Sequence, residues 1–133
     1  MLVCVTLTGI HHAALSVRDV DVSSDWYRRV LGLDETFRRE SESRRIVVMR
    51  FPGLRATVGL VQHCDVGSEF NPHNRGLDHL AFSVESADEL WGWPGRLDEH
   101  GVSYSGPDET PFGGMLHFQD PDGIALALFW ERS

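Results

Sequence analysis

No lysine occurs among the 133 residues; all twelve basic side chains are arginines. That absence excludes Schiff-base catalysis, a lysine general base and a phosphate-binding P-loop, whose GxxxxGKS or GxxxxGKT motif requires lysine. Cysteine is nearly as scarce. Cys4 and Cys64 are the two thiols, too few and too far apart for a disulfide framework or a CxxC metal or redox pair, and they read as reduced thiols in a cytoplasm. Positive charge is short as well: the net charge is −8, with nine arginines against eight acids up to residue 66 and three against twelve beyond it. Neither half offers a basic footprint for DNA, RNA or an anionic membrane. The opening MLVCVTLTGI has no positive residue ahead of a short apolar run, and no apolar stretch reaches spanning length, so no signal peptide and no membrane span are expected. There is no GxGxxG for a nucleotide cofactor and no GxSxG nucleophile elbow.

What is present is ordinary globular material, 41% hydrophobic and 24% charged, long enough for one domain over residues 1–133 with its own core. An internal repeat organises it: HAALSV at His12–Val17 returns as HLAFSV at His79–Val84, 67 residues on. A helical pattern follows each copy. After the first, Val22, Trp26, Tyr27, Val30 and Leu31 share a face, Asp19 or Asp21 caps the start and Gly32 ends it. After the second, Ser86 and Glu89 have capping-box spacing, Leu90, Trp93 and Leu97 share a face and Gly101 stands at the stop. Gly92, Pro94 and Gly95 inside this second helix predict a kink or break. Strand signals come next: Glu35–Glu40, Ile46–Phe51 and Thr57–Gln62, then Ser103–Tyr104, Met115–Gln119 and Ile124–Trp130. Phe51-Pro52-Gly53 and Asp120-Pro121-Asp122-Gly123 mark corresponding turns, with Phe51 and Phe118 again 67 apart. The chain therefore reads as an α+β fold of two βαβββ modules, about 5–64 and 76–132, whose strands form a curved mixed β-sheet. Cys64–Arg75 is the connecting loop.

Period-two alternation assigns the faces. Ala13, Leu15 and Val17 pack under the first helix, which turns His12, Ala14 and Ser16 outward; Leu80, Phe82 and Val84 do the same for His79, Ala81 and Ser83. The outward face is a concavity lined by histidine and small residues, suited to a small-molecule ligand. His63 and His117 read as rim residues of that cavity. Phe129 shares the phase of Ala125 and Ala127 and faces the cavity, where the alanines leave room for an apolar or aromatic ligand. Phe112 and Met115, flanking Gly113 and Gly114, form a loop that closes over it. His11 is out of phase with His12, His73 sits in a loop and His100 at a helix end. Arg38, Arg39, Arg44 and Arg45 read as a solvated hairpin.

The segments GIHHAALSV, WYRRVLGL (Trp26–Leu33), GLVQH (Gly59–His63), GLDHLAFSV (Gly76–Val84) and FQDPDGIALALFW (Phe118–Trp130), in this order and spacing, resemble the vicinal oxygen chelate superfamily. That superfamily includes glyoxalase I, extradiol dioxygenases, fosfomycin-resistance enzymes and bleomycin-resistance proteins. The resemblance implies the glyoxalase/bleomycin-resistance/dioxygenase fold and, as in similar short members, a homodimer. In metal-dependent members four strand positions supply ligands. They match His12, Gly59, His79 and Ala127 here, so the resemblance leaves His12 and His79 as metal ligands while Gly59 and Ala127 supply no donor. Two readings follow: a protein binding a small organic ligand without metal, or a divalent-metal lyase, isomerase or dioxygenase that uses His12 and His79 with Zn, Ni, Mn or Fe and draws any third ligand from His63 or His117.

Overall fold

The computed structural model describes residues 5–65 and 67–133. The first βαβββ unit runs β1 (His12–Ser16), α1 (Val20–Leu31), β2 (Asp34–Glu40), β3 (Arg44–Arg50) and β4 (Thr57–His63). The second runs β5 (Leu80–Val84), α2 (Ala87–Glu99), β6 (Tyr104–Thr110), β7 (Gly113–Gln119) and β8 (Ala125–Glu131). Each unit makes its own four-stranded mixed sheet, ordered β1-β4-β3-β2 and β5-β8-β7-β6. The pairs β1–β4 and β5–β8 are parallel and the others antiparallel. This is the α+β architecture expected from the repeat. Cys4 lies outside the described residues, and Cys64 is free and exposed.

Local chemistry explains the helices. Asp19 caps α1, its carboxylate accepting from the Asp21 and Val22 amides at 2.9 and 3.3 Å, and Gly32 closes it in the left-handed region at φ 76°. The buried stripe is Val20, Ser23, Ser24, Trp26, Tyr27 and Val30. Val22, assigned to that stripe by sequence spacing, is largely exposed because the true face begins one turn position earlier at Val20. Ser86 caps α2 by accepting from the Glu89 amide, and the Glu89 carboxylate returns to the Glu85 amide, each at 3.1 Å. The expected break at Pro94 does not occur: α2 runs unbroken from Ala87 to Glu99 with Pro94 inside. Leu90 and Leu97, one on each side of the proline, are both fully buried and anchor each half of the helix.

The strands expected in the first unit appear within two residues of their bounds. In the second unit β6 extends from Tyr104 to Thr110, well beyond the Ser103–Tyr104 strand signal, and a register irregularity between Ser105 and Asp108 accommodates Gly106 and Pro107. Register also refines the repeat. Ala14 corresponds to Ala81, but Gly59 corresponds to Ala127 and Val48 to His117, because each is the direct cross-strand neighbour of the last. Phe118 is therefore the counterpart of Met49, not of Phe51, the β3–β4 turn being one residue longer than the β7–β8 turn.

One contiguous hydrophobic cluster joins the units. Trp26 lies 6.2 Å from Phe118 and Phe51 lies 5.7 Å from Phe82, centroid to centroid. Polar links run between α1 and the β7–β8 turn: Tyr27 Oη donates to Asp120 Oδ2 at 2.9 Å, and the Arg18 amide to Asp122 Oδ1 at 2.8 Å. Arg96 of α2 donates to the carbonyls of Val30 and Arg29 at 2.7 and 3.0 Å, closing the C-terminal end of α1. The units thus meet through helices and turns. Among the described residues the two sheets are not hydrogen-bonded to each other, so β1 and β5 are open edges there. Among the described residues no helix is long and apolar enough to cross a membrane.

Candidate functional site

Directly paired residues share a face of a sheet. Across the first sheet, Ala14, Gly59, Val48 and Phe37 form one row on the face away from α1. Across the second, Ala81, Ala127, His117 and Ser105 form one row and Ser83, Phe129, Met115 and Asp108 the next. His12 and His79 stand at the open-edge end of these faces, both exposed. The face assignments made from alternation hold: Leu15, Val17 and Phe82 are buried beneath the helices.

The two histidines share a local arrangement that the sequence reading did not anticipate. His79 Nδ1 lies 2.7 Å from Asp78 Oδ1, and His12 Nδ1 lies 2.8 Å from His11 Nδ1, with the His11 and His12 rings edge-on at 5.1 Å. Residues 11 and 78 are repeat partners, so a histidine whose Nδ1 is engaged by its predecessor stands at the start of β1 and immediately ahead of β5. A carboxylate on Nδ1 fixes the proton there and leaves the Nε2 lone pair outward. The adjacency of Asp78 to His79 was visible in the sequence; that the side chains would turn toward each other was not.

The other candidates fall on different parts of the faces. His63 ends β4, six residues beyond Thr57, the partner of His12, which puts it roughly 20 Å along the strand. It does not join His12. His117 lies mid-strand beside Ala127 rather than at a rim, two strands from Ala81, about 10 Å away. Met115 and Phe129 are direct neighbours and half-buried. Ala127 lies on the open face yet has no exposed surface, so it leaves less room than its size suggests. Phe112 projects, exposed, from the β6–β7 turn. The glycines beside it are not a loop hinge: both belong to β7, where a Cβ on Gly113 would collide with the Trp130 carbonyl and one on Gly114 would meet Leu90 Cδ2 at 2.7 Å. Phe37, half-exposed at the far end of the apolar row, was missed because charged neighbours in DETFRRE mask its phase.

The donor set fits a metal poorly. Gly59 and Ala127, the second and fourth ligand positions, offer no lone pair, and among the described residues no three His, Cys, Asp or Glu side chains converge. What one chain presents is two open sheet faces, one largely apolar along Ala14, Gly59, Val48 and Phe37 and one mixed, each with a histidine at its free edge.

The architecture, two βαβββ units with a histidine opening each first strand, defines a glyoxalase-type chelate-fold protein. The sequence profile of the Glyoxalase/Bleomycin resistance protein/Dioxygenase superfamily matches residues 9–128, and the chain belongs to that family. A glyoxylase/bleomycin resistance protein/dioxygenase domain from Frankia sp. EAN1pec superposes with a TM-score of 0.88 at 36% identity, over 96% of this chain and 100% of that one. An antibiotic binding protein, TnmS3 from Streptomyces sp. CB03234, shares the fold with a TM-score of 0.75 at 22% identity, over 97% and 100% of the two chains. The putative ring-cleaving dioxygenase MhqA of Bacillus subtilis is 24% identical over 92% of this chain, which spans 40% of the length of that relative.

Proposed function

We propose that the protein binds a small apolar or aromatic organic molecule, without a resident metal, in a cavity that forms between two copies of the chain. The observation that carries this reading is the composition of the open faces at the positions where donor atoms would be needed: Gly59 lies in a row with Ala14, Val48 and Phe37 in one sheet, and Ala127 lies between Ala81 and His117 in the other, with Met115 and Phe129 in the next row. Such a surface gains from burying apolar area, and beside Gly59 and Ala127 it sets one imidazole and no carboxylate. The names of two relatives agree with the ligand class, since one binds an antibiotic and the other is a putative ring-cleaving enzyme.

The need for a second copy follows from the edges. Natural sheets guard free edges with charge, proline or irregularity. The outer strands do so: β2 reads DETFRRE, and β6 carries Pro107 at a register shift. β1 and β5 read HAALS and LAFSV, with no acid, arginine or proline. Unguarded edges of matching length suit pairing with each other across a symmetric dimer, which brings the two half-sites together.

The test is elemental analysis of untagged protein purified without chelator, with thermal shifts on adding Zn, Ni, Mn and Fe(II). Metal below about a tenth of an equivalent with no shift is expected; near-stoichiometric metal with a shift of several degrees overturns the metal-free reading.

One observation favours a second reading, a divalent-metal lyase, isomerase or dioxygenase. The Asp78–His79 contact puts a carboxylate on Nδ1 of one edge histidine, as in outer-shell support of metal-bound histidine. Under that reading His79→Ala abolishes turnover, and unchanged turnover removes His79 from any metal role.

A further inference from the structure

The β2–β3 hairpin sorts its arginines by face. On the helix side they are neutralised: Arg38 bridges to Asp21 and Glu35 at 2.7 and 2.8 Å, and Arg45 to Asp21 and Glu40 at 3.0 and 2.9 Å. On the open side Arg39 and Arg44 are not. Arg39 pairs with Ile46, Ile46 with Val61 and Val61 with Ser16, which forms the row next to Ala14, Gly59, Val48 and Phe37. Arg44 pairs with His63 one step further on. Both arginines are exposed, and among the described residues neither guanidinium makes an ion pair or a hydrogen bond. Neither row contains an acid, whereas Arg50, at the other end of the same face, has Asp34 directly opposite. In a chain with twenty acids and twelve arginines, two neighbouring arginines left without a carboxylate call for an explanation. Like charges this close repel, and an anion between them removes that cost.

We infer that the molecule held on the open face is an organic acid, its apolar or aromatic body over Gly59 and Val48 against Phe37 and its carboxylate between Arg39 and Arg44. The inference rests on the cavity reading above and adds the charge of the ligand. The register sets the dimensions. Arg39 and Arg44 are diagonal neighbours across β2 and β3, about 7–8 Å apart at Cα, a span that long side chains close. Their rows follow the apolar row at steps of about 7 Å along the strands, so body and acid fit one small molecule. Between the two poles lie Ile46 and Val61, both half-buried, which cover the stem that joins them. Two guanidinium forks match the two oxygens of a carboxylate, and His63 adds a ring N–H beside Arg44. The facing sheet supplies a competitor: Asp108 and Glu131 share its open face with Met115 and Phe129. An ion pair to either of them is the alternative that the experiment must separate.

The experiment measures binding of 2-naphthylacetate and of its uncharged amide, 2-naphthylacetamide, to full-length chain by calorimetric titration, with EDTA present so that no carboxylate–metal contact contributes. The acid is expected to bind about tenfold or more tighter than the amide at low ionic strength, with the margin shrinking as salt is raised. Arg39→Gln with Arg44→Gln is expected to remove the margin and leave amide binding unchanged. Arg55→Gln with Arg75→Gln takes the same charge from loops outside the strands and is expected to keep the margin within about twofold. Equal binding of acid and amide in the parent overturns the inferred charge and leaves the apolar cavity standing. A margin that survives Arg39→Gln with Arg44→Gln, or that falls equally in the loop pair, also overturns it, since the acid is then read elsewhere or by the charge of the whole chain. Binding of neither probe overturns the cavity reading and this inference with it. Thermal midpoints without probe decide the remaining alternative. Arg39→Gln with Arg44→Gln is expected to hold the parent midpoint, and a fall of several degrees assigns the two arginines to Asp108 or Glu131 and overturns the inference.

Discussion

The hydroxyl of Tyr27, on α1 of the first unit, donates to the carboxylate of Asp120, at the turn entering β8 of the second, across 2.9 Å of buried space. The other Asp120 oxygen accepts from the Asp122 and Ile124 amides at 2.8 and 2.9 Å and so shapes the turn. One carboxylate thereby holds its own turn and anchors the neighbouring helix. Removing the donor with Tyr27→Phe leaves Asp120 short of a partner in a buried place, and hydrogen bonds to charged groups contribute about 1.5–3 kcal/mol. A loss of that size in chemical denaturation is expected. A loss below about 0.5 kcal/mol would mean that water replaces the hydroxyl.

The same carboxylate sets a pH signature. Burial pushes the Asp120 pKa above its ordinary 3.8, and the Ile124 amide, the Tyr27 hydroxyl and the Asp122 amide pull against that rise without cancelling it. The folded state therefore holds this proton more tightly than the unfolded chain. Its contribution to stability is fully present below pH 3.8 and declines as pH rises through the raised folded value. Asp21 and Asp25 act oppositely: the Arg38 and Arg45 hydrogen bonds lower the first, and those of Arg29 and Arg28 lower the second. Their contributions are lost as pH falls, so the total profile mixes both signs. The difference between parent and Asp120→Asn isolates the buried group, and the variant is expected to gain on the parent as pH rises above the ordinary aspartate range. A constant difference across acid pH would show that Asp120 does not titrate in that window.

Arg96 offers a second test of how the units are joined. Its guanidinium donates to two carbonyls at the end of α1 and lies 5.6 Å over the Trp93 ring. Arg96→Ala removes all three contacts, with an expected cost of about 1–2 kcal/mol by thermal or denaturant unfolding. Lysine reaches one carbonyl but cannot fork to two, so Arg96→Lys recovers only part of it. Full recovery would reduce the contact to charge against the helix dipole.

Much of this architecture was readable in the sequence, for identifiable reasons. The hexapeptide repeat, the alternation in HAALSV and HLAFSV, the Asp19 and Ser86 caps and Gly32 are local signals, and the local structure follows them. Where long-range packing decides, local signals failed. Val22 fits the helical period but faces outward; Pro94 breaks a hydrogen-bond pattern yet is held by Leu90 and Leu97. Gly113 and Gly114 read as turn residues because the approach of Trp130 and Leu90 has no sequence signature. The candidate site was half readable: alternation placed His12, His79 and Phe129 on the open faces, whereas Met115, read as part of a closing loop, lies in β7 beside Phe129. It could not show that the faces belong to two sheets with free edges, nor that Phe37 completes an apolar row.

The glycines make the contrast between packing and vacancy testable. At Gly113, φ is +155° and a Cβ would strike the Trp130 carbonyl, so Gly113→Ala is expected to destabilise by more than about 1 kcal/mol or to prevent folding. Gly59 is different: its nearest neighbour to a new Cβ would be Ala14 Cβ at 3.5 Å, an ordinary contact. Gly59→Ala is expected to keep the parent thermal midpoint within a few degrees. Comparable losses at both positions would mean the open face is packed in the free chain.

That tolerance allows the vacancy itself to be filled. Gly59 sits beside Ala14, one face-step from His12, and Ala127 beside Ala81, one face-step from His79. Introducing Gly59→Glu and Ala127→Glu together supplies two carboxylates where the strand register aims donors at the same region as the histidines. Carboxylate and imidazole oxygens and nitrogens bind Zn, Mn and Fe(II) far better than two imidazoles alone. Calorimetric titration with Zn is expected to show tight binding in the double variant and little in the parent, and His79→Ala in that background should abolish it. Ala127 has no exposed surface, so Gly59→Glu alone is the control for folding. If the double variant keeps the thermal midpoint of Gly59→Glu and gains no metal affinity, the two positions do not face a common site and the pairing of the half-sites is wrong. If affinity appears, two side chains alone separate this chain from a metal site, and the geometry that surrounds them is already in place.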